Sequence, residues 1–257
     1  MEFDYIIIGA GSAGCVLANR ITENTYNKVL LLEAGPKNTA LSLKIPAAML
    51  SNLTSTKHNW AFEGEPEPEL NDRTLKHDRG KTLGGSSSIN GLCFIRGHAL
   101  DFDGWQQAGC RGWGFADVLP YFKKMETHAG GTDEYRGRDG PLHVHHSTPE
   151  DPLSLAFLRA GKEAGYPETN DISGYRQEGF GGFDRTVFKG ERWSTARAYL
   201  DPIRHRQNLK IQTNTQVQRL IFEGTHATGV VYKDKNGVSK IVEAKKEIIL
   251  SAGAVGS

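Results

Sequence analysis

The sequence predicts an α/β fold, and three local patterns carry that prediction. Phe3–Ile8 is a short isoleucine-rich run with the composition of a buried strand. Gly9-Ala10-Gly11-Ser12-Ala13-Gly14 follows it directly and opens Ser12–Ile21, where Val16, Leu17 and Ile21 recur at helical spacing. Residues 28–32 form a second apolar strand that ends on Glu33. Together these make a βαβ unit of about thirty residues, with parallel strands and a right-handed crossover.

The placement of the small residues says what such a unit holds. Gly9 permits a tight turn, Gly11 lets backbone close on a pyrophosphate, and Gly14 lets the helix pack on the strand. The helix N-terminus, with Ser12 and Ala13 in its first turn, offers N–H groups and a partial positive charge to phosphates. Glu33, with Ala34 beside it, stands nineteen residues past Gly14 and is placed to accept hydrogen bonds from adenosine ribose hydroxyls. A carboxylate there repels a 2′-phosphate and argues against NADP. The unit is Rossmann-like, and by itself it leaves FAD and NAD open.

Size and composition set the remaining bounds. The chain's 257 residues suffice for one large domain or two small ones, and a net charge of +1 gives no reason to expect a nucleic-acid partner. Thirty glycines favour ligand-cradling loops over a helical bundle. Cys15, Cys93 and Cys110 are too few and too scattered for a disulfide framework or a zinc site, and they read as thiols of a reducing compartment. The opening Met1-Glu2-Phe3-Asp4 carries acids where a secretory signal carries positive charge. The apolar runs at 6–8 and 248–255 are short and glycine-broken, so no transmembrane segment is expected. The reading is cytoplasmic, with peripheral contact at the inner face of the membrane left open.

The rest of the chain is read in order. Periodicity loosens from Gly35 to about Lys76, and the acidic, proline-broken 63–69 is an exposed loop. Residues 116–125 predict a helix with Asp117 near its start and Lys123 and Lys124 near its end. A loop at 130–141 leads to a strand at 142–146 and a helix over 151–165, with Asp151 as cap and Pro152 in the first turn. Residues 209–217 and 219–222 are strand-like. A hairpin joins 227–233 to 238–242 through Lys235-Asn236-Gly237, and a separate strand is expected at 247–250.

A second small-residue segment sharpens the reading. It runs Arg79-Gly80-Lys81-Thr82-Leu83-Gly84-Gly85-Ser86-Ser87-Ser88-Ile89-Asn90-Gly91, and its apolar members do not suit a flexible linker. With Ile95-Arg96-Gly97, Asp103, His58-Asn59-Trp60, Gly112-Trp113, Val118-Leu119-Pro120-Tyr121-Phe122 and the stretch from Arg192 to Leu200, it resembles the glucose-methanol-choline (GMC) oxidoreductases. More narrowly it resembles their choline dehydrogenase and bacterial alcohol dehydrogenase branch, and the likeness covers essentially the whole chain.

The resemblance implies a Rossmann-like FAD-binding domain with part of an α+β substrate domain. Its expected divisions are 1–140 for the first part of the FAD-binding domain, with a lid loop near 55–76, then 141–205 for the partial substrate domain and 206–257 for the return. It implies that Leu83, Gly84, Gly85 and Ser86 bind the ribityl-diphosphate and that Asn90, Gly91, Leu92 and Cys93 run beside the flavin ring. It also implies that the backbone of Val217 meets the adenine. Some members link their flavin covalently through a histidine in this segment; Ile89 stands there in this chain, so non-covalent FAD is expected.

The implied activity is oxidation of an alcohol, choline or a primary aliphatic one, by hydride transfer to flavin, with electrons passed to a quinone or another carrier. The family's catalytic histidine belongs near the end of a chain about twice this length. No residue here corresponds to it, and Gly253-Ala254-Val255-Gly256-Ser257 resembles the opening of a second family signature. An N-terminal fragment, inactive alone, is therefore expected. A hydroxynitrile-lyase-like enzyme, a nucleotide-binding remnant and an NAD-linked dehydrogenase are the alternatives.

Other residues read as structural. His143, His145 and His146 lack the partners of a metal site, so no metal is expected. His128, His205 and His226 are expected at the surface. Arg192, Arg197, Arg204 and Arg206, interleaved with Glu191 and Asp201, read as a solvated basic face.

Overall fold

A computed structural model of the chain describes residues 2–257. In chain order its principal elements are β1 (Phe3–Ile8), α1 (Ser12–Ile21), β2 (Val29–Leu32), β3 (Cys93–Phe94), α2 (Ala99–Gln107), α3 (Phe115–Met125) and β4 (Glu126–His128). They continue with β5 (Leu142–Ser147), α4 (Pro152–Glu163), β6 (Phe183–Arg185), β7 (Leu209–Gln212), β8 (Gln216–Glu223), β9 (His226–Lys233) and β10 (Ser239–Leu250). They gather into two compact units, one made of residues 1–91 with 192–257 and the other of residues 92–191. These divisions fall at other places than the 140 and 205 expected from the sequence. Antiparallel pairing of β3 with β6 ties residues after Gly91 into the second unit. Residues 196–200 form a π-helical turn in the first unit, where the Tyr199 carbonyl accepts a hydrogen bond from Asn19 of α1 at 2.7 Å.

The first unit is organised by a six-stranded sheet in the order β7-β2-β1-β10-β9-β8. β1 pairs parallel with both β2 and β10, and β7 pairs parallel with β2. Strands covered on both faces read as unbroken apolar runs, which is why the isoleucines and leucines of β1 and β2 announced themselves. Ile6, Ile7, Leu30 and Leu31 are buried.

The two strands expected at 238–242 and 247–250 are one. The first half of β10 pairs antiparallel with β9, Val242 opposite Val230. Its second half pairs parallel with β1, Ile249 opposite Ile7. Glu243, Lys245, Lys246 and Glu247 interrupt the apolar pattern between the halves and remain exposed. Backbone pairing with two different neighbours carries the strand through them.

The second unit has a four-stranded sheet, β3-β6-β5-β4. Helix α2 has no counterpart in the sequence reading, because Gly104 and its polar neighbours hide the periodicity. Its start is nevertheless encoded. The His98 ring accepts from the Leu100 N–H at 3.2 Å, and the Asp101 carboxylate accepts from the His98 N–H at 2.8 Å, a capping box. Phe102 then packs edge-on against Phe122 of α3, at 5.6 Å between ring centroids. Asp151 caps α4 as expected, accepting from the Ser154 N–H at 2.9 Å.

An ion network forms the polar centre of this unit. Arg136 is fully buried and contacts Glu126, Asp171 and Asp184. Arg96 donates to Glu126 at 2.6 Å. Asp184 also accepts from His146 at 2.9 Å and His128 at 3.3 Å. His128 is thus buried, not at the surface as the sequence suggested; its partner Asp184 is distant in sequence and invisible to local pattern. Burial alone would raise the Asp184 carboxyl, but hydrogen bonds from His128 and His146 and the charge of Arg136 hold it down to about 2. The hydrogen bond to Asp184 raises His128 against the opposing effect of burial.

Asp184→Asn removes an acceptor shared by three cationic or ionisable groups, and an expected loss of about 3 kcal/mol would appear as a lowered urea midpoint. Because the Asp184 pKa is depressed on folding, its stabilisation is complete above the unfolded value of about 4 and drains as pH falls towards about 2. His128, with a raised pKa, gives stability on the acid side that is lost as pH rises through its folded value. Thermal midpoints measured below about pH 5 should therefore fall more steeply for the parent chain than for the Asp184→Asn variant.

Candidate cofactor site

Three runs of small residues meet at the C-terminal end of β1, all within the first unit. Gly9, at φ +91°, donates its N–H to the Leu32 carbonyl at 2.8 Å and turns the chain out of the strand. A Cβ on Gly14 would lie 1.9 Å from the Gly9 carbonyl oxygen, so only glycine lets α1 pack this closely on the turn. The Gly84 N–H donates to the Ala10 carbonyl at 2.7 Å. At Gly85, a Cβ would sit 2.8 Å from the Gly11 Cα. The third run begins at Ser251, whose hydroxyl donates to the Ile8 and Gly9 carbonyls at 2.9 and 3.0 Å.

Glu33 locks this junction. Its two carboxylate oxygens accept from the N–H groups of Ala10 and Gly35, each at 2.8 Å. Burial pushes its carboxyl up, against the lowering effect of those two hydrogen bonds. The residue expected only as a ribose acceptor therefore also pins the glycine turn to the end of β2. Each oxygen keeps a further lone pair for a ligand.

The junction borders a cavity of about 910 Å³, at the upper end of the range for ligand pockets. Of the expected site residues, Gly9, Gly11, Ser12, Ala13, Glu33, Ala34, Gly85, Ser86 and Val217 line it. Among the described residues no side chain caps α1, so the N–H groups of its first turn face this space uncapped. Gly14, Leu83 and Gly84 sit behind the lining, as packing and turn residues. Asn90 and Gly91 close the glycine-serine segment in the first unit, whereas Leu92 and Cys93 belong to the second.

Sequence reasoning left out part of the lining. Trp60 and Phe62 stack at 5.6 Å with 8° between their planes, and Arg79 joins them on the cavity wall. Asn59 sets that wall. Its Oδ1 accepts from the N–H groups of Ala61 and Arg79, both at 3.0 Å, and its Nδ2 donates to Asp78 at 2.6 Å. The motif His58-Asn59-Trp60 was the available signal, but its meaning depends on pairing with residues 78–80.

Remaining candidates take structural places. Cys15 is buried, its thiol donating to the Ala10 carbonyl at 3.2 Å, and burial pushes it up to about 12, far from a reactive thiolate. Arg192 is 0 % exposed, which overturns its place on a solvated basic face. Its neighbours Arg204 and Arg206 are at least partly exposed. His143 stacks on Phe188 at 3.8 Å, and among the described residues no group of three or more His, Cys, Asp or Glu could hold a metal ion. No described helix is long and apolar enough to cross a membrane.

Comparison with known proteins identifies this arrangement. A family described as GMC oxidoreductase matches residues 3–257. The mitochondrial choline dehydrogenase of Homo sapiens is 50% identical over 263 aligned residues, covering 100% of this chain and 44% of its own. The oxygen-dependent choline dehydrogenase of Chromohalobacter salexigens is 51% identical, covering 100% of this chain and 47% of its own. Pyridoxine 4-oxidase from Mesorbium loti superposes with a TM-score of 0.92 at 34% identity, over 98% of this chain and 50% of that one. An FAD-dependent oxidoreductase from Chaetomium thermophilum gives 0.90 at 30% identity, over 99% and 46%. The chain spans about half the length of the curated relatives it matches.

Two glycines of one turn should respond differently to a methyl group. Gly14→Ala drives a Cβ into the Gly9 carbonyl and is expected to cost about 2 kcal/mol in urea unfolding. A Cβ on Gly11 meets nothing within 4 Å, so Gly11→Ala should leave stability within about 0.5 kcal/mol of the parent.

Proposed function

The chain belongs to the GMC oxidoreductase family, and we propose that its residues hold FAD for the oxidation of an alcohol. The observation that carries this reading is the contact of the two glycine segments, Gly84 on Ala10 and Gly85 on Gly11, beside an uncapped helix N-terminus and a cavity of dinucleotide scale. The residues present fit the cofactor. The first-turn N–H groups of Ser12 and Ala13 would take the pyrophosphate. Glu33 would accept from the adenosine ribose, Ala34 and the Val217 backbone would flank the adenine, and Gly9, Gly11, Gly85 and Ser86 would let the cofactor approach the backbone. Gly14, Leu83 and Gly84 would hold that surface from behind. Asn90 and Gly91, with Leu92 and Cys93 after them in sequence, are proposed as neighbours of the flavin ring on the family resemblance.

Bound FAD supplies an acceptor for hydride. Attachment is non-covalent in this reading, since Ile89 is a buried hydrocarbon side chain with no atom able to form the bond. The names of the relatives support choline as substrate; a primary aliphatic alcohol in its place, and a quinone or another carrier receiving the electrons, are proposed on the family resemblance. No proton-transferring residue is assigned among these 257 residues.

Titration of the purified chain with FAD should quench flavin fluorescence and give a bound visible spectrum, and acid denaturation should release all of the flavin. Flavin retained by the polypeptide would contradict non-covalent attachment, and absence of binding would contradict the reading itself. Gly11→Ala should weaken FAD binding about tenfold without lowering the unfolding midpoint. In a full-length protein carrying this segment, choline or a primary alcohol should bleach the flavin anaerobically; a flavin that stays oxidised would point to lyase chemistry.

A further inference from the structure

We propose that Asn59 is a positioning residue: its side-chain amide holds a strained turn at Ala61, and that turn keeps Trp60 and Phe62 on the cofactor cavity as a flat wall for a ring of FAD. This rests on the FAD reading above. Residues 59–63 run antiparallel to residues 76–80, with Asn59 opposite Gly80, Phe62 opposite His77 and Glu63 opposite Lys76. One register holds throughout, yet the ladder breaks between Asn59 and Phe62, where Ala61 takes φ +47°. Side chains other than glycine rarely adopt that conformation. Asn59 sits in the break and is buried. Its Oδ1 accepts from the Ala61 and Arg79 N–H groups, each at 3.0 Å. Its Nδ2 donates to the Leu53 carbonyl and the Asp78 carboxylate, each at 2.6 Å. All four hydrogen-bonding places of the amide are therefore used.

A continuous extended ribbon would need neither the strain nor the amide. Backbone strain of this kind collects at ligand sites, where the surrounding contacts enforce it. Here it falls on the residue between the two aromatic side chains of the cavity wall. The rings of Trp60 and Phe62 lie 8° from parallel. The Lys81 ammonium, 4.3 Å from the Trp60 ring centre, ties the indole to the glycine-serine segment. The glycine turn and the helix N-terminus offer backbone N–H groups, which suit phosphates and not rings. The planar parts of FAD, adenine and isoalloxazine, need a flat apolar face, and Trp60 with Phe62 supplies one on the same cavity.

FAD titration of the chain tests this. Trp60→Ala and Asn59→Ala should each weaken binding about tenfold, and the double variant should bind no more weakly than either. Trp60→Phe keeps a flat ring and should keep most of the affinity. Ala61→Gly should restore most of the affinity lost in Asn59→Ala, because glycine takes the left-handed turn unaided. Titration with ADP and with riboflavin identifies the ring: whichever ligand loses affinity in Trp60→Ala carries it, and a loss with neither would overturn the proposal. Losses of about a hundredfold in the double variant would overturn it too, as would unchanged FAD affinity in Asn59→Ala or failure of Ala61→Gly to rescue it. If Asn59→Ala fails to fold, Asn59→Ser, which keeps one acceptor, replaces it on the same criteria. A parent chain that binds no FAD would instead overturn the reading on which this proposal stands.

Discussion

The hydrogen bond from the Gly84 N–H to the Ala10 carbonyl, with Gly85 pressed on Gly11, is the constraint around which the first unit is arranged. It brings together two segments that lie far apart in sequence and meet through glycine and alanine. Leu83 and Ile89 are buried to either side, but at the contact itself there is almost no side chain, so hydrophobic contact between large groups does not drive the union there. It is held from outside instead. Glu33 ties the first turn to β2, and the Thr82 hydroxyl donates to the Pro36 carbonyl at 2.9 Å. The Ser87 hydroxyl, in turn, lies 2.9 Å from that of Thr195. Small residues at the centre and polar fasteners at the rim leave a backbone surface that a phosphate-bearing ligand can approach.

Strand β10 completes this arrangement from the far end of the chain. Its parallel half lies beside β1 and delivers Ser251 to the carbonyls of Ile8 and Gly9. A Cβ on Gly9 would stand 2.5 Å from the Ser251 carbonyl oxygen, so the glycine is required by the returning chain as much as by any ligand. The antiparallel half of the same strand joins it to β9 and, through β9, to the β8 residues that line the cavity. One strand with two kinds of neighbour thus couples the phosphate end of the site to the wall carrying Val217.

How much of this was legible follows from where the information lies. The βαβ unit reads directly, because its buried strands are continuous apolar runs and its turn is glycine at fixed offsets. The capping of α4 by Asp151 is equally local. Helix α2 is signalled only by His98 and Asp101, because Gly104 and a polar composition mask its period. β10 was divided in two because Glu243 to Glu247 look like a break, while the backbone pairing that bridges them has no side-chain signature. The unit boundaries depend on whether residues 93–94 pair with 184–185, which no window of sequence contains. Within the site the residues on the glycine turn were found, whereas the Trp60 wall depends on Asn59 meeting Arg79.

The buried arginines show the same limit most clearly, and they also separate two uses of a charge. Arg96 and Arg136 look in sequence like any surface cation, yet Arg96 is matched by Glu126 of β4, and Arg136 by Glu126, by Asp171 and by Asp184 of β6. Removing such a pair's partner leaves a naked charge, which is why that network resists change and serves to hold a fold. Arg192 is equally buried and is left with neutral oxygens, and burial lowers its pKa to about 10 without compensation from any carboxylate. A fold gains little from a charge held that way, since an apolar side chain of similar volume would pack as well. Its guanidinium instead meets neutral acceptors on the glycine-serine segment, Asn90 Oδ1 at 2.9 Å and the Ser87 carbonyl at 3.4 Å, so what it holds is the end of the segment that meets the glycine turn.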